Sequence, residues 1–115
     1  MKTPLASMGL FVLAAFMGAF GQYLYKLGAA DTGPNPILWL INWKIILAIM
    51  LYIGVMACFV AAFKIGGQLT VLYPIYATTF VFGALIGVFL LHEPLTPWKI
   101  AGTILIIAGA AIIAR

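Results

Sequence analysis

Charge is what this sequence has least of. Lys2, Lys26, Asp31, Lys44, Lys64, Glu93, Lys99 and Arg115 are its only charged side chains, 7% of 115 residues. Soluble domains carry about 25%, so an ordinary soluble domain is excluded. Disorder is excluded for a related reason: it needs low hydrophobicity, and 66% of this chain is hydrophobic. Six bases against two acids raise the question of nucleic acid, but the bases are scattered singly and make no patch. Cysteine is reduced to Cys58, inside an apolar run. That excludes an intramolecular disulfide, and the residue reads as a small packed side chain. What remains is an integral membrane protein with too little polar chain for a separate soluble domain.

The runs are continuously apolar. A membrane barrel would alternate apolar and polar residues, so spanning helices are expected. The predicted fold is all-α, a single polytopic domain over residues 1–115 with four transmembrane helices at about 4–27, 43–63, 70–91 and 98–114. The first run is uncharged and longer than a signal core, and further spans follow it, so no cleaved signal is expected. Gly28, Asp31, Gly33, Pro34 and Pro36 are expected to form a loop. The apolar segment 37–43 reads either as interfacial or as the start of helix 2, with Trp39 and Trp43 at headgroup level. His92–Pro97 (HEPLTP) makes a tight loop, and Lys99 and Arg115 can snorkel from the ends of helix 4.

Four spans put Lys2, Lys64 and Arg115 on one side and Lys26, Lys44 and Lys99 on the other. Equal basic counts give almost no orienting bias, and dual insertion is one outcome. Small residues let helices approach closely in lipid. Gly83 and Gly87 in helix 3, Gly102 and Gly109 in helix 4, and Gly18 beside Ala14 and Gly21 in helix 1 are the candidate packing or dimerisation positions. Four helices enclose little interior, so a transporter of this size is expected to work as a dimer. Two oppositely inserted copies would reproduce an inverted repeat.

Polar groups inside spans are costly and therefore candidates for function. Gln22 and Lys26 lie one turn apart on one face, which Ala15 and Gly18 continue. They read either as an anion-holding pair or as a snorkelling lysine beside a glutamine bonded to a neighbouring helix. Tyr73, Pro74, Tyr76 and Thr79 open helix 3, where Pro74 frees a carbonyl that can kink the helix or line a cavity. Glu93 stands at the end of that helix. Gln22, Lys26, Tyr73, Tyr76, Thr79 and Glu93 are the candidate substrate-binding residues. One histidine and two distant carboxylates support neither a metal site nor enzyme chemistry, and no cofactor is expected.

Four strings carry a resemblance: Gly21-Gln22-Tyr23-Leu24-Tyr25-Lys26, Tyr73-Pro74, His92-Glu93-Pro94-Leu95-Thr96-Pro97, and GTILIIAGA at 102–110. Together the chain resembles the drug/metabolite transporter superfamily in its short four-helix form, including EamA-type and small multidrug resistance proteins. Small multidrug resistance exporters use a buried glutamate in helix 1. Gly18 stands at about that position, helix 1 holds no acid, and the first loop is longer than in that group. A carboxylate can alternate between proton and cation and glycine cannot. The chain is more similar to aminoarabinose–undecaprenyl-phosphate flippase subunits. That resemblance implies movement of a polyprenyl-phosphate-linked sugar or similar anionic lipid across a bacterial inner membrane. It makes Lys26 the phosphate partner beside Gln22, and since such subunits can pair with a related second subunit, it adds a heterodimer to the homodimer, antiparallel or not, expected from size. The rival expectations are a small-molecule or cation exporter and a non-transporting membrane subunit.

Overall fold

The computed structural model describes residues 3–113. The described chain is helical, with no strand: α1 (Leu5–Thr32), a 3₁₀ turn (Pro36–Leu40), α2 (Trp43–Lys64), α3 (Leu69–Tyr76), α4 (Thr79–Phe89) and α5 (Pro97–Ile113). Three stretches are long and apolar enough to cross a membrane: Leu5–Thr32, Trp43–Lys64 and Leu69–Phe89; α5 is an apolar helix of 17 described residues.

α1 is the central helix. Its buried residues, including Ser7, Phe11, Ala14, Gly18, Gly21, Leu24, Gly28 and Thr32, recur every three or four positions and are mostly small. In lipid there is no hydrophobic drive between helices, so close backbone approach and van der Waals packing hold them together. Ser7 donates to the carbonyl of Ala62 at 2.8 Å. Near that end Phe11, Ala62, Leu72 and Ile75 form a cluster, with Phe11 and Phe59 centroids 4.5 Å apart.

Gly28 and Asp31 are helical rather than part of the expected loop, because α1 runs on to Thr32. Gly28 permits contact here: an added Cβ would lie 2.5 Å from Ile45 Cγ1 and 3.1 Å from Asn42 Oδ1. The stop comes at Gly33, whose φ of 59° and ψ of −148° suit only glycine, and Pro34 follows. Segment 37–43 resolves into the 3₁₀ turn, the linking residues Ile41 and Asn42, and the first residue of α2. Asn42 caps α2 by accepting from the backbone N–H of Lys44 at 3.0 Å and of Ile45 at 3.3 Å.

The third span, expected as one helix, is two. Pro74 lies inside α3, and a proline both lacks an N–H and crowds the preceding turn. The chain answers with tighter i+3 bonds, Ala77 N–H to Pro74 O (2.9 Å) and Thr78 N–H to Ile75 O (3.0 Å), before α4 begins. At this break the buried hydroxyl of Thr78 has no partner. An unmade buried hydrogen bond costs about 1–3 kcal/mol. Thr78→Val keeps the shape and removes the orphan, so its melting point in detergent is expected to match or exceed wild type. A loss of more than about 1 kcal/mol would show that the hydroxyl is used.

Candidate functional site

Lys26, Lys44 and Lys99 lie toward one end of the bundle and Lys64 toward the other; Lys2 and Arg115 fall outside the described residues. At the first end α1 closes on α2 through Lys44 Nζ and Asp31 Oδ2, 2.6 Å apart. α1 also closes on the loop before α5 through an ion pair between Lys26 and Glu93. Glu93 reaches this position because the backbone turns at His92 (φ 57°) and Glu93 N–H bonds the carbonyl of Gly87 at 2.9 Å. Gly87 is buried under the carboxylate: an added Cβ would stand 2.5 Å from Glu93 Oε1.

Below this pair a chamber of about 660 Å³ opens among α1, α2, the α3–α4 break and α5. Its polar wall comprises Gln22, Tyr52, Tyr76, Thr79, Lys99 and Thr103. Gln22 Nε2 donates to Tyr52 Oη at 2.7 Å, and Tyr52 Oη donates to the carbonyl of Gly18 at 3.2 Å. Thr79 Oγ1 donates to the carbonyl of Ala15 at 3.1 Å. Tyr52 is steadied from outside by stacking on Tyr25, centroids 5.6 Å apart. Gly18 makes room for Tyr76, whose hydroxyl would lie 2.5 Å from an added Cβ. A smaller recess of about 180 Å³ adjoins the chamber and shares Ala19, Gln22 and Gly83 with it; Lys26, Gly87 and Glu93 are on its wall.

Of the residues singled out in the sequence, Gln22, Lys26 and Glu93 meet at the recess, and Gln22, Tyr76 and Thr79 meet at the chamber. Tyr73 stands apart. It is 67% exposed and borders the aromatic cluster of Phe11, Phe59 and Phe63. Gly18 and Gly87 sit in tight contacts, whereas Gly83, Gly102 and Gly109 face nothing within 4 Å. Tyr52 went unnoticed in the sequence. Its one signal is a lone hydroxyl in the otherwise uncharged run 45–63. Lys99, read as a snorkelling end residue, lines the chamber.

The hydrogen bond and then the charge of Lys26 hold the Glu93 carboxyl below its ordinary 4.5, and the charge of Lys99 adds to the effect. A depressed acid stabilises the fold above its unfolded value and loses that contribution as pH falls through the folded value. The stability difference between wild type and Glu93→Gln is therefore expected to be present at neutral pH. It should start to fade below about 4.5 and vanish in stronger acid. Thermal melts across that range check it; a difference constant with pH would disprove the tie.

Among the described residues no group of three or more histidines, cysteines or acids could hold a metal ion. No family model, no curated protein and no solved structure matches this chain.

Proposed function

We propose that the chain is a membrane transporter of the drug/metabolite type that moves an anionic lipid, such as a polyprenyl-phosphate-linked sugar, between leaflets of a bacterial inner membrane. The observation that carries this reading is the chemistry of the chamber wall. Its polar groups are one ammonium, an amide and hydroxyls, with no carboxylate, on a wall that is otherwise apolar. Stripping water from a phosphate requires charge compensation and hydrogen-bond donors in return; Lys99 and the second amide hydrogen of Gln22 are of that kind. Lys26, across Gln22, adds a second cation, already met by Glu93. Cation export fits poorly, because a cation would meet Lys99 and no acid. A purely structural subunit has no use for a chamber of this size. Alternating access in a dimer is the mechanism we attach to the reading, the chamber taking the head group while the hydrocarbon stays in lipid.

The test uses liposomes with purified protein and a fluorescent polyprenyl phosphate, with quencher added outside. Protein-dependent loss of the protected inner-leaflet signal is expected for the phosphate and not for a quaternary ammonium lipid. Movement of the ammonium lipid alone would establish the exporter reading instead.

A further inference from the structure

We propose that the slot between α4 and α5 holds the hydrocarbon chain of a lipid whose head begins with phosphate, and that Lys99 grips that phosphate where the slot meets the chamber. This rests on the lipid-transport reading above and gives it a binding route. The slot measures about 260 Å³ and its wall is almost wholly apolar, with Val81, Leu85 and Phe89 from α4 facing Ile100 and Ile104 from α5. Ala84, Lys99 and Thr103 belong to both slot and chamber. The apolar slot thus runs up to the Lys99 side chain, and beyond it lie the polar residues of the chamber, set in a mostly apolar wall.

Lys99 is the cation at this junction that lacks a carboxylate. Its ammonium gives one of three donors to the carbonyl of Pro94 at 2.7 Å. Among the described residues the ion pairs are Lys26–Glu93 and Lys44–Asp31, so both acids of the chain are committed elsewhere. Lys99 also sits in the first turn of α5, where Thr96 Oγ1 accepts its backbone N–H at 3.2 Å. The helix start is the positive end of the backbone dipole, so ammonium and dipole add rather than cancel. Glu93 feels the charge of Lys99 but bonds Lys26, which leaves two donors of Lys99 for an incoming anion.

The occupant follows from the two halves together. Free phosphate would satisfy Lys99 and leave the slot empty. A neutral hydrocarbon would fill the slot and leave Lys99 unmet. A helix of a second copy would bring apolar side chains, but the chain has no uncommitted acid among its described residues to bring with them. An amphiphile with phosphate at one end satisfies both.

The probe is a long-chain alkyl phosphate bearing a mid-chain diazirine, in phosphatidylcholine liposomes containing the full chain. After irradiation, labelled positions are read by mass spectrometry. Labelling is expected within residues 81–89 and 100–104. It should fall about tenfold or more in Lys99→Gln, as for loss of a charge-assisted hydrogen bond, and persist in Lys99→Arg. The parent alcohol with the same diazirine should label the slot about tenfold less. Excess inorganic phosphate should leave labelling intact. Ala84→Phe should block it; if that variant fails to fold, the Lys99 pair decides alone.

Equal labelling by the alcohol overturns the role of Lys99, and displacement by inorganic phosphate shows a free-anion site instead. Labelling spread over the outer residues of α5, such as Leu105 and Ile112, or copy-to-copy cross-linking through Ile104→Cys that excludes the probe, overturns the slot. Labelling of the slot without translocation in the liposome assay leaves this inference standing and removes the transport reading. Translocation with labelling elsewhere does the reverse.

Discussion

Lys26→Gln is expected to lower translocation of the polyprenyl phosphate by about tenfold to a hundredfold, the range for loss of one charge-assisted hydrogen bond to an anion. Glu93→Gln is expected to act in the opposite sense on binding. Lys26 is tied to Glu93 in the structure, so an incoming phosphate has to compete with that carboxylate. With the carboxylate neutralised, half-saturation should fall to lower lipid concentration. Turnover need not follow, because release slows as binding tightens. This opposite movement separates the substrate role from a tether. If Lys26 served only to hold the loop before α5 against α1, both variants would break the same tie and lose activity together. Concentration–rate curves in liposomes, with circular dichroism to verify the fold, give the answer.

Gly18→Leu is expected to abolish transport. Gly18 is buried, its carbonyl accepts from Tyr52, and an added Cβ would lie 2.5 Å from the Tyr76 hydroxyl. A leucine there pushes out the two phenols, Tyr52 and Tyr76, that line the chamber. Overpacking costs about 1–3 kcal/mol, so a lowered melting point is expected alongside the lost activity. Gly18→Ala provides the graded form: the Tyr76 ring end can swing aside, and partial activity should remain. Gly9→Ala, in the same helix with nothing within 4 Å of the added Cβ, should keep full transport. Its melting point should rise by the equivalent of up to about 1 kcal/mol. If Gly18→Leu transports normally, the chamber is not on the route.

Much of the fold was legible because membrane helices announce themselves by length and apolarity. The small-residue face of α1 was legible from the spacing of Ala14, Gly18 and Gly21. The bend at the third span was foreshadowed by Pro74, though the actual break comes three residues later, once the tightened bonds have run their course. Gly28 misled, since a glycine that breaks a helix and one that admits a neighbour look alike until the neighbour is seen. At the site, Gln22 and Lys26 share a helix and were legible as a pair. Their partners were not. Tyr52 and Glu93 lie 30 and 67 positions away from them, and no local periodicity encodes a contact between separate helices. Tyr73 and Tyr76 sit almost one turn apart, yet only the latter reaches the chamber.

The polar contacts along α1 also set a depth scale. Lys26, Gln22, the Gly18 carbonyl met by Tyr52 and the Ala15 carbonyl met by Thr79 descend the helix in steps of about 4.5–6 Å at 1.5 Å per residue. From Lys26 to Ala15 the drop is about 16 Å, and bilayer hydrocarbon is about 30 Å thick. Past Ala15 the next buried residues are Ala14 and Phe11, and Phe11 packs against Phe59 and Phe63. Polar contacts thus recur at every turn of α1 below Lys26 and stop near mid-membrane. One copy builds a ladder that ends halfway. Were the dimer of the proposed mechanism antiparallel, a second copy would carry the same ladder up from the opposite surface, and the two would meet at the midplane.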